Sequence, residues 1–70
     1  MTKEQLDNWF TCHAPDSEDL TAYEAVRQSA RRFAQTINDA CPESADKTAA
    51  MRKLREAVMT ANAAIACKGK

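Results

Sequence analysis

Apolar side chains recur every three or four positions along most of this chain, and no stretch alternates in the manner of a strand. A short helix is predicted from about Lys3 to Phe10, with Leu6, Trp9 and Phe10 on one side. Thr2 followed by Gln5 matches a capping box, in which side chains satisfy the first free amides. Thr11 to Pro15 breaks that helix, because proline disfavours a helical conformation at Ala14. A second helix starts at Asp16 or Ser17, with Glu18 and Asp19 in its positive first turn. It carries the stripe Leu20, Tyr23, Val26, Ala30, Phe33, Ile37 and Ala40 as far as Cys41, and Pro42 ends it. Ser44 and Asp46 offer new caps. A third helix then runs from about Ala45 to Cys67 on the stripe Met51, Leu54, Val58, Ala61 and Ile65, with Gly69 as its end signal. Each long helix spans about 35 Å at ~1.5 Å per residue, and the short connection makes the two antiparallel neighbours. The fold class is all-α. A short N-terminal helix precedes a long antiparallel helical hairpin, in one domain covering 1–70.

Length changes this picture, because 70 residues bury only a modest core. A chain of this size hides roughly 60% of the surface its unfolded form exposes. Trp9, Phe10, Tyr23 and Phe33 are the only aromatics, so self-association is expected to supply the missing burial. Ala57, Ala61 and Ala64 form a small-residue strip beside the apolar stripe of the third helix. It serves either packing within the hairpin or a contact between subunits, and a helix apolar on more than one face favours the second. Asn62, amid these alanines, is either a buried amide that fixes register or an exposed polar residue.

Charge narrows the ligand classes. The formal net charge is zero, so no global field draws the chain to polymeric nucleic acid or to membranes. No apolar run approaches the ~20 residues of a membrane span. The basic residues are concentrated beyond Glu24, which leaves room for a local site for a small anion. Cys12, Cys41 and Cys67 include no Cys-x-x-Cys pair, and with no secretion signal a reduced cytosolic setting is expected.

Candidate chemistry is sparse. Arg27, Arg31 and Arg32 lie within about one and a half helical turns, with Arg27 and Arg31 on the same face. They form either a solvated face relieved by Glu24 and nearby acids, or an anion clamp that grips phosphate through bidentate, charge-assisted hydrogen bonds. If two subunits each contribute Arg27, a ligand with two phosphates is matched by symmetry. Arg52, Lys53 and Arg55 read as a solubilising face. Cys12 beside His13 is too small a set for a zinc site, which typically needs three or four ligands, and no orienting acid stands near it for catalysis. Neither an enzyme nor a cofactor is expected. Trp9 and Phe10 are either core anchors of the first helix or a face on which a base stacks.

Four segments taken together carry a resemblance. Phe10-Thr11-x-His13-Ala14-Pro15, Ala22–Arg27, Ala40–Ser44 and the run Arg55-Glu56-Ala57-Val58-Met59-x-Ala61 to Ala66 are similar, in order and spacing, to the phage anti-CBASS cyclic-nucleotide sponges. The resemblance implies a hairpin assembled as a homohexamer that sequesters cyclic oligonucleotide messengers, without cleaving them, in the host cytoplasm during phage infection. It implies cyclic dinucleotides in pockets between protomers, met by Arg27 and the loop His13, and cyclic trinucleotides in separate pockets. Phe10, Cys12 and Arg31 join the dinucleotide set, while Ser29 and Lys68 match the trinucleotide pocket. Three positions depart from the family pattern: Cys12 stands where tyrosine is usual, Thr60 where tryptophan is frequent, and Cys67 where arginine is frequent.

Overall fold

The computed structural model describes residues 1–11 and 14–69. They form three helices, α1 (Lys3–Phe10), α2 (Ser17–Ala40) and α3 (Ala45–Ala66), with no strand among the described residues. Each start has a local chemical cause. Thr2 Oγ1 accepts from the Gln5 amide at 3.1 Å, and Gln5 Oε1 accepts from the Thr2 amide at 2.9 Å, closing the expected capping box. Asp19, expected only as a first-turn acid, completes a second box. Asp16 Oδ1 takes its amide at 2.8 Å, and its own Oδ2 takes the Asp16 amide at 3.2 Å. Ser44 Oγ caps α3 through the Lys47 amide at 3.1 Å. A neutral or acidic acceptor at such a position is typically worth ~1 kcal/mol over alanine.

The long helices end one residue earlier than the periodicity suggests, with Cys41 and Cys67 as caps. At the end of α3 the left-handed turn begins at Lys68, with φ 56°, and continues through Gly69, with φ 76°. Lys68 N–H donates to Ile65 C=O at 3.2 Å and Gly69 N–H to Ala64 C=O at 2.9 Å, which satisfies two otherwise open carbonyls. The glycine expected as the stop is therefore second in the turn, and a lysine takes the first left-handed position.

α2 and α3 pack against each other as the antiparallel hairpin, reversing direction through residues 41–44. Lys47 seals the reversal. Its Nζ donates to Asn38 C=O at 3.0 Å and to Glu43 Oε1 at 2.5 Å, with the side chain only 9% exposed. A buried ammonium is tolerated when both a carbonyl and a carboxylate meet it. At the opposite, open end, α1 is tied to the terminus of α3 by Asn8 Nδ2, which donates to Cys67 C=O at 3.2 Å.

The core is thin. Among the described residues only Ile37 and Lys47 are buried, and no side chain is fully enclosed. Tyr23, Val26, Ala30, Leu54, Val58 and Ile65 are half-buried along the seam. Leu20 and Phe33, placed by periodicity in the inward stripe of α2, are each 57% exposed, and Ala40 is exposed too. The physical reason is that one neighbouring helix covers only a narrow part of a broad apolar face. Trp9 and Phe10 are not core anchors either: both are exposed, Phe10 to 80%. Ala57 and Ala64 lie open to solvent, while Ala61 between them is half-buried against the seam, so the strip serves the hairpin's own packing only in part. Asn62 is half-buried, and its Oδ1 is shielded from solvent without a hydrogen-bond partner, which makes it the buried amide of the two alternatives. Such an orphan acceptor costs about 1–3 kcal/mol.

Surface area gives this thinness a scale. The chain exposes 5695 Å², whereas a compact monomer of its mass exposes about 4,300 Å². Its radius of gyration is 15.2 Å, against about 11 Å for a compact chain of this length. The excess exceeds the ~800 Å² that one partner contributes to an ordinary stable interface.

Candidate functional site

The middle of α2 carries three arginines, Arg27, Arg31 and Arg32. Arg27, Gln28, Arg31 and Arg32 line one shallow depression of about 410 Å³. They gather there because positions separated by three, four and five residues overlap on one flank of a helix. Their partners differ in kind. The Arg27 guanidinium meets the Glu24 carboxylate one turn earlier, and Gln28 Nε2 donates to the other Glu24 oxygen at 2.7 Å. Arg27 remains 74% exposed, and an exposed pair of this type is worth only about 0–1 kcal/mol. An incoming phosphate can therefore displace Glu24 at small cost. Arg31 Nη1 donates to Gln35 Oε1 at 3.1 Å, and Gln35 Nε2 passes the contact on to Asp39 Oδ1 at 3.0 Å. Arg32 Nη2 reaches Ser29 Oγ at 3.3 Å.

A second concavity of about 430 Å³ lies at the open end, lined by Trp9, Phe10, Thr60, Ala63, Ala64, Cys67 and Gly69. Two of the departures noted in the sequence, Thr60 and Cys67, face the same cleft as the aromatic pair. A third, apolar groove of about 470 Å³ runs between α2 and α3, and Ser29 and Phe33 line it together with Val26, Leu54 and Val58.

A single chain thus brings together only part of the expected sets. Arg27 and Arg31 share a depression, but Phe10 belongs to the open-end cleft. Cys12 and His13 lie outside the described residues. Ser29 and Lys68 are not brought together in one chain. Lys68 sits beside Asp19, ten residues before Ser29 on α2, a rise of about 15 Å along the helix. No group of three or more potential metal ligands occurs among the described residues, and no helix there is long and apolar enough to cross a membrane.

Sequence reasoning missed the clasp that Lys68 makes. Its Nζ donates to Asp19 Oδ1 at 2.5 Å and to Asp16 Oδ2 at 3.3 Å, linking the end of α3 to the start of α2. No local pattern could reveal it, since the partners are 49 and 52 residues away. The Asp19 hydrogen bond raises the Lys68 pKa above its ordinary 10.5, with smaller support from Asp16. Asp16 is held below its ordinary 3.8 chiefly by the Asp19 amide, with desolvation opposing it and Lys68 adding smaller support. The sign follows from linkage. The depressed Asp16 stabilises the fold above pH 3.8 and loses that effect as pH falls through its folded value, whereas the raised Lys68 loses its effect above pH 10.5. A carboxyl NMR titration should place Asp16 below 3.8. Lys68→Met should move it only part of the way back, because the Asp19 amide remains. An unchanged midpoint in that variant means that the clasp does not form.

Comparison with known proteins now adds to this geometry. Residues 2–66 match the family model described as Acb2/Tad1, hairpin domain. No curated protein and no solved structure matches the chain.

Proposed function

Because the chain belongs to the Acb2/Tad1 hairpin family, the anti-CBASS sponges, we propose that it binds cyclic oligonucleotide second messengers and holds them without cleavage, so that the CBASS effector is never activated. The match over residues 2–66 carries this reading. The arginine flank of α2 is consistent with it, offering exposed guanidinium groups to phosphate. In this reading the protein is no enzyme. It acts by stoichiometry in the host cytoplasm during phage infection, and must outbind the effector. A nanomolar affinity corresponds to about −12 kcal/mol, within reach of two arginines and a few stacked bases in a preorganised pocket.

The excess exposed surface and the exposed Ala57 and Ala64 support assembly into a homo-oligomer, a hexamer by analogy with the family. Cyclic dinucleotides would sit where Arg27 side chains of two subunits converge, near Phe10, Cys12, His13 and Arg31. Cyclic trinucleotides would sit at Ser29 and Lys68, for which Lys68 must exchange Asp16 and Asp19 for phosphate. A rival reading makes the chain a structural or protein-binding hairpin, with the Glu24–Arg27 pair as ordinary surface charge.

Native mass spectrometry and thermal melting with cyclic dinucleotides and trinucleotides separate the two. The sponge reading predicts ligand-bound oligomers, a melting temperature that rises with ligand concentration, and intact ligand recovered on heating. An oligomer whose melt no cyclic nucleotide moves supports the rival.

A further inference from the structure

We propose that Asn8 is a positioning residue for the dinucleotide site: its hydrogen bond to the end of α3 sets α1 so that the Phe10 ring stands ready to meet a base. This rests on the proposed function, and it concerns a residue that belongs to neither of the ligand sets named above.

Three observations converge on Asn8. The first is which side chain α1 turns inward. An amphipathic helix ordinarily covers its apolar residues. Here Leu6, Trp9 and Phe10 are exposed, and Asn8 alone among the eight residues of α1 is half-buried. When the most covered residue of a helix is an amide, hydrogen bonding rather than apolar packing orients that helix.

The second observation is what Asn8 grips. Its Nδ2 donates to Cys67 C=O at 3.2 Å, and the Cys67 thiol donates in return to Asn8 C=O at 4.0 Å. The last carbonyls of a helix are open by construction. At the end of α3 the amides of Cys67, Lys68 and Gly69 close those of Ala63, Ile65 and Ala64, and Asn8 closes that of Cys67. This mooring point is itself braced. The next side chain, Lys68, reaches Asp19 at 2.5 Å and Asp16 at 3.3 Å at the start of α2. Asn8 therefore ties α1 to a turn held by both long helices.

The third is the bearing of Phe10. Two residues beyond Asn8 is about 200° round the helix, so turning the amide inward turns this ring outward. The ring is 80% exposed and lines the open-end cleft with Cys67 and Gly69. Stacking needs a ring at one place and one tilt. A ring on a swinging helix has to be ordered as the ligand binds, which weakens affinity. A mooring that orders it beforehand strengthens binding without touching the ligand.

The test is calorimetry on the full chain with cyclic di-AMP, cyclic di-GMP and cyclic tri-AMP. The proteins are the unaltered chain, Asn8→Ala, Asn8→Asp, Phe10→Ala, and the two alanine changes together. Asn8→Ala should weaken dinucleotide binding by about threefold to tenfold, with native mass unchanged. Asn8→Asp keeps the shape but places a carboxylate where a donor is needed, and should lose at least as much. Cyclic tri-AMP should stay within about twofold, because Phe10 is not in the trinucleotide set. In the Phe10→Ala background the Asn8 change should cost less than about twofold further, since a residue that acts through another is not additive with it. Dinucleotide affinity unmoved by Asn8→Ala, or losses that simply add in the double variant, overturn the inference and leave the proposed function standing. Equal weakening of dinucleotide and trinucleotide does the same, since it marks a general structural role. An unaltered protein that binds cyclic tri-AMP alone also overturns it, and one that binds none of the three removes the proposed function as well.

Discussion

Arg27→Ala is expected to abolish the proposed cyclic dinucleotide binding and to leave the native mass unchanged. The magnitude follows from counting contacts. Each charge-assisted hydrogen bond to phosphate contributes about 1.5–3 kcal/mol, and in the proposed assembly a two-phosphate ligand between symmetric subunits would meet Arg27 twice. Losing both costs about 3–6 kcal/mol, a drop of at least a hundredfold in affinity. The fold should tolerate the change, because the side chain is 74% exposed and its pair with Glu24 spans less than one turn of the same helix. Calorimetry should show no heat at ligand concentrations that saturate the unaltered protein, with native mass unchanged. Affinity retained within threefold would remove Arg27 from the site and leave it as surface charge.

The second large effect concerns assembly. Ala64 is exposed on the hairpin and borders the open-end cleft with Phe10. Arginine there has room in a lone subunit, so it should not disturb α3. Forced into a contact between copies, it would carry an unpaired charge into an apolar setting, at a cost of about 3–5 kcal/mol. Ala64→Arg should therefore reduce the native mass to that of one subunit and lower the melting temperature. An unchanged mass would place the subunit contact elsewhere on the hairpin.

Local chemistry was legible in the sequence, and distant chemistry was not. The capping box of Thr2 and Gln5, the cap at Asp16 and the stop at Pro42 involve residues within one turn of each other, so spacing alone reveals them. Periodicity also gave both long helices to within a residue of their ends. It does not tell how wide a stripe the partner helix covers, and Leu20 and Phe33, both on the apolar stripe of α2, stay 57% exposed. The burial of Lys47 is not legible from spacing, because its meeting with Asn38 C=O depends on the path of the turn. Lys68 is the extreme case, with partners at the far end of the chain. For the candidate site, spacing placed Arg27 and Arg31 on one flank, as found. Their separation from Phe10, which lines the open-end cleft, follows from how the three helices pack, which no periodicity encodes.

The Lys47 clamp at the chain reversal also bears on how quickly the protein becomes usable. Joining Asn38, Glu43 and Lys47 closes a loop of about ten residues, a fast event with little entropy lost. From that pinned end α2 and α3 can zip together pair by pair, the low-contact-order route by which helical proteins fold within microseconds to milliseconds. The opposite end, where Lys68 meets Asp16 and Asp19, is then the last part to close.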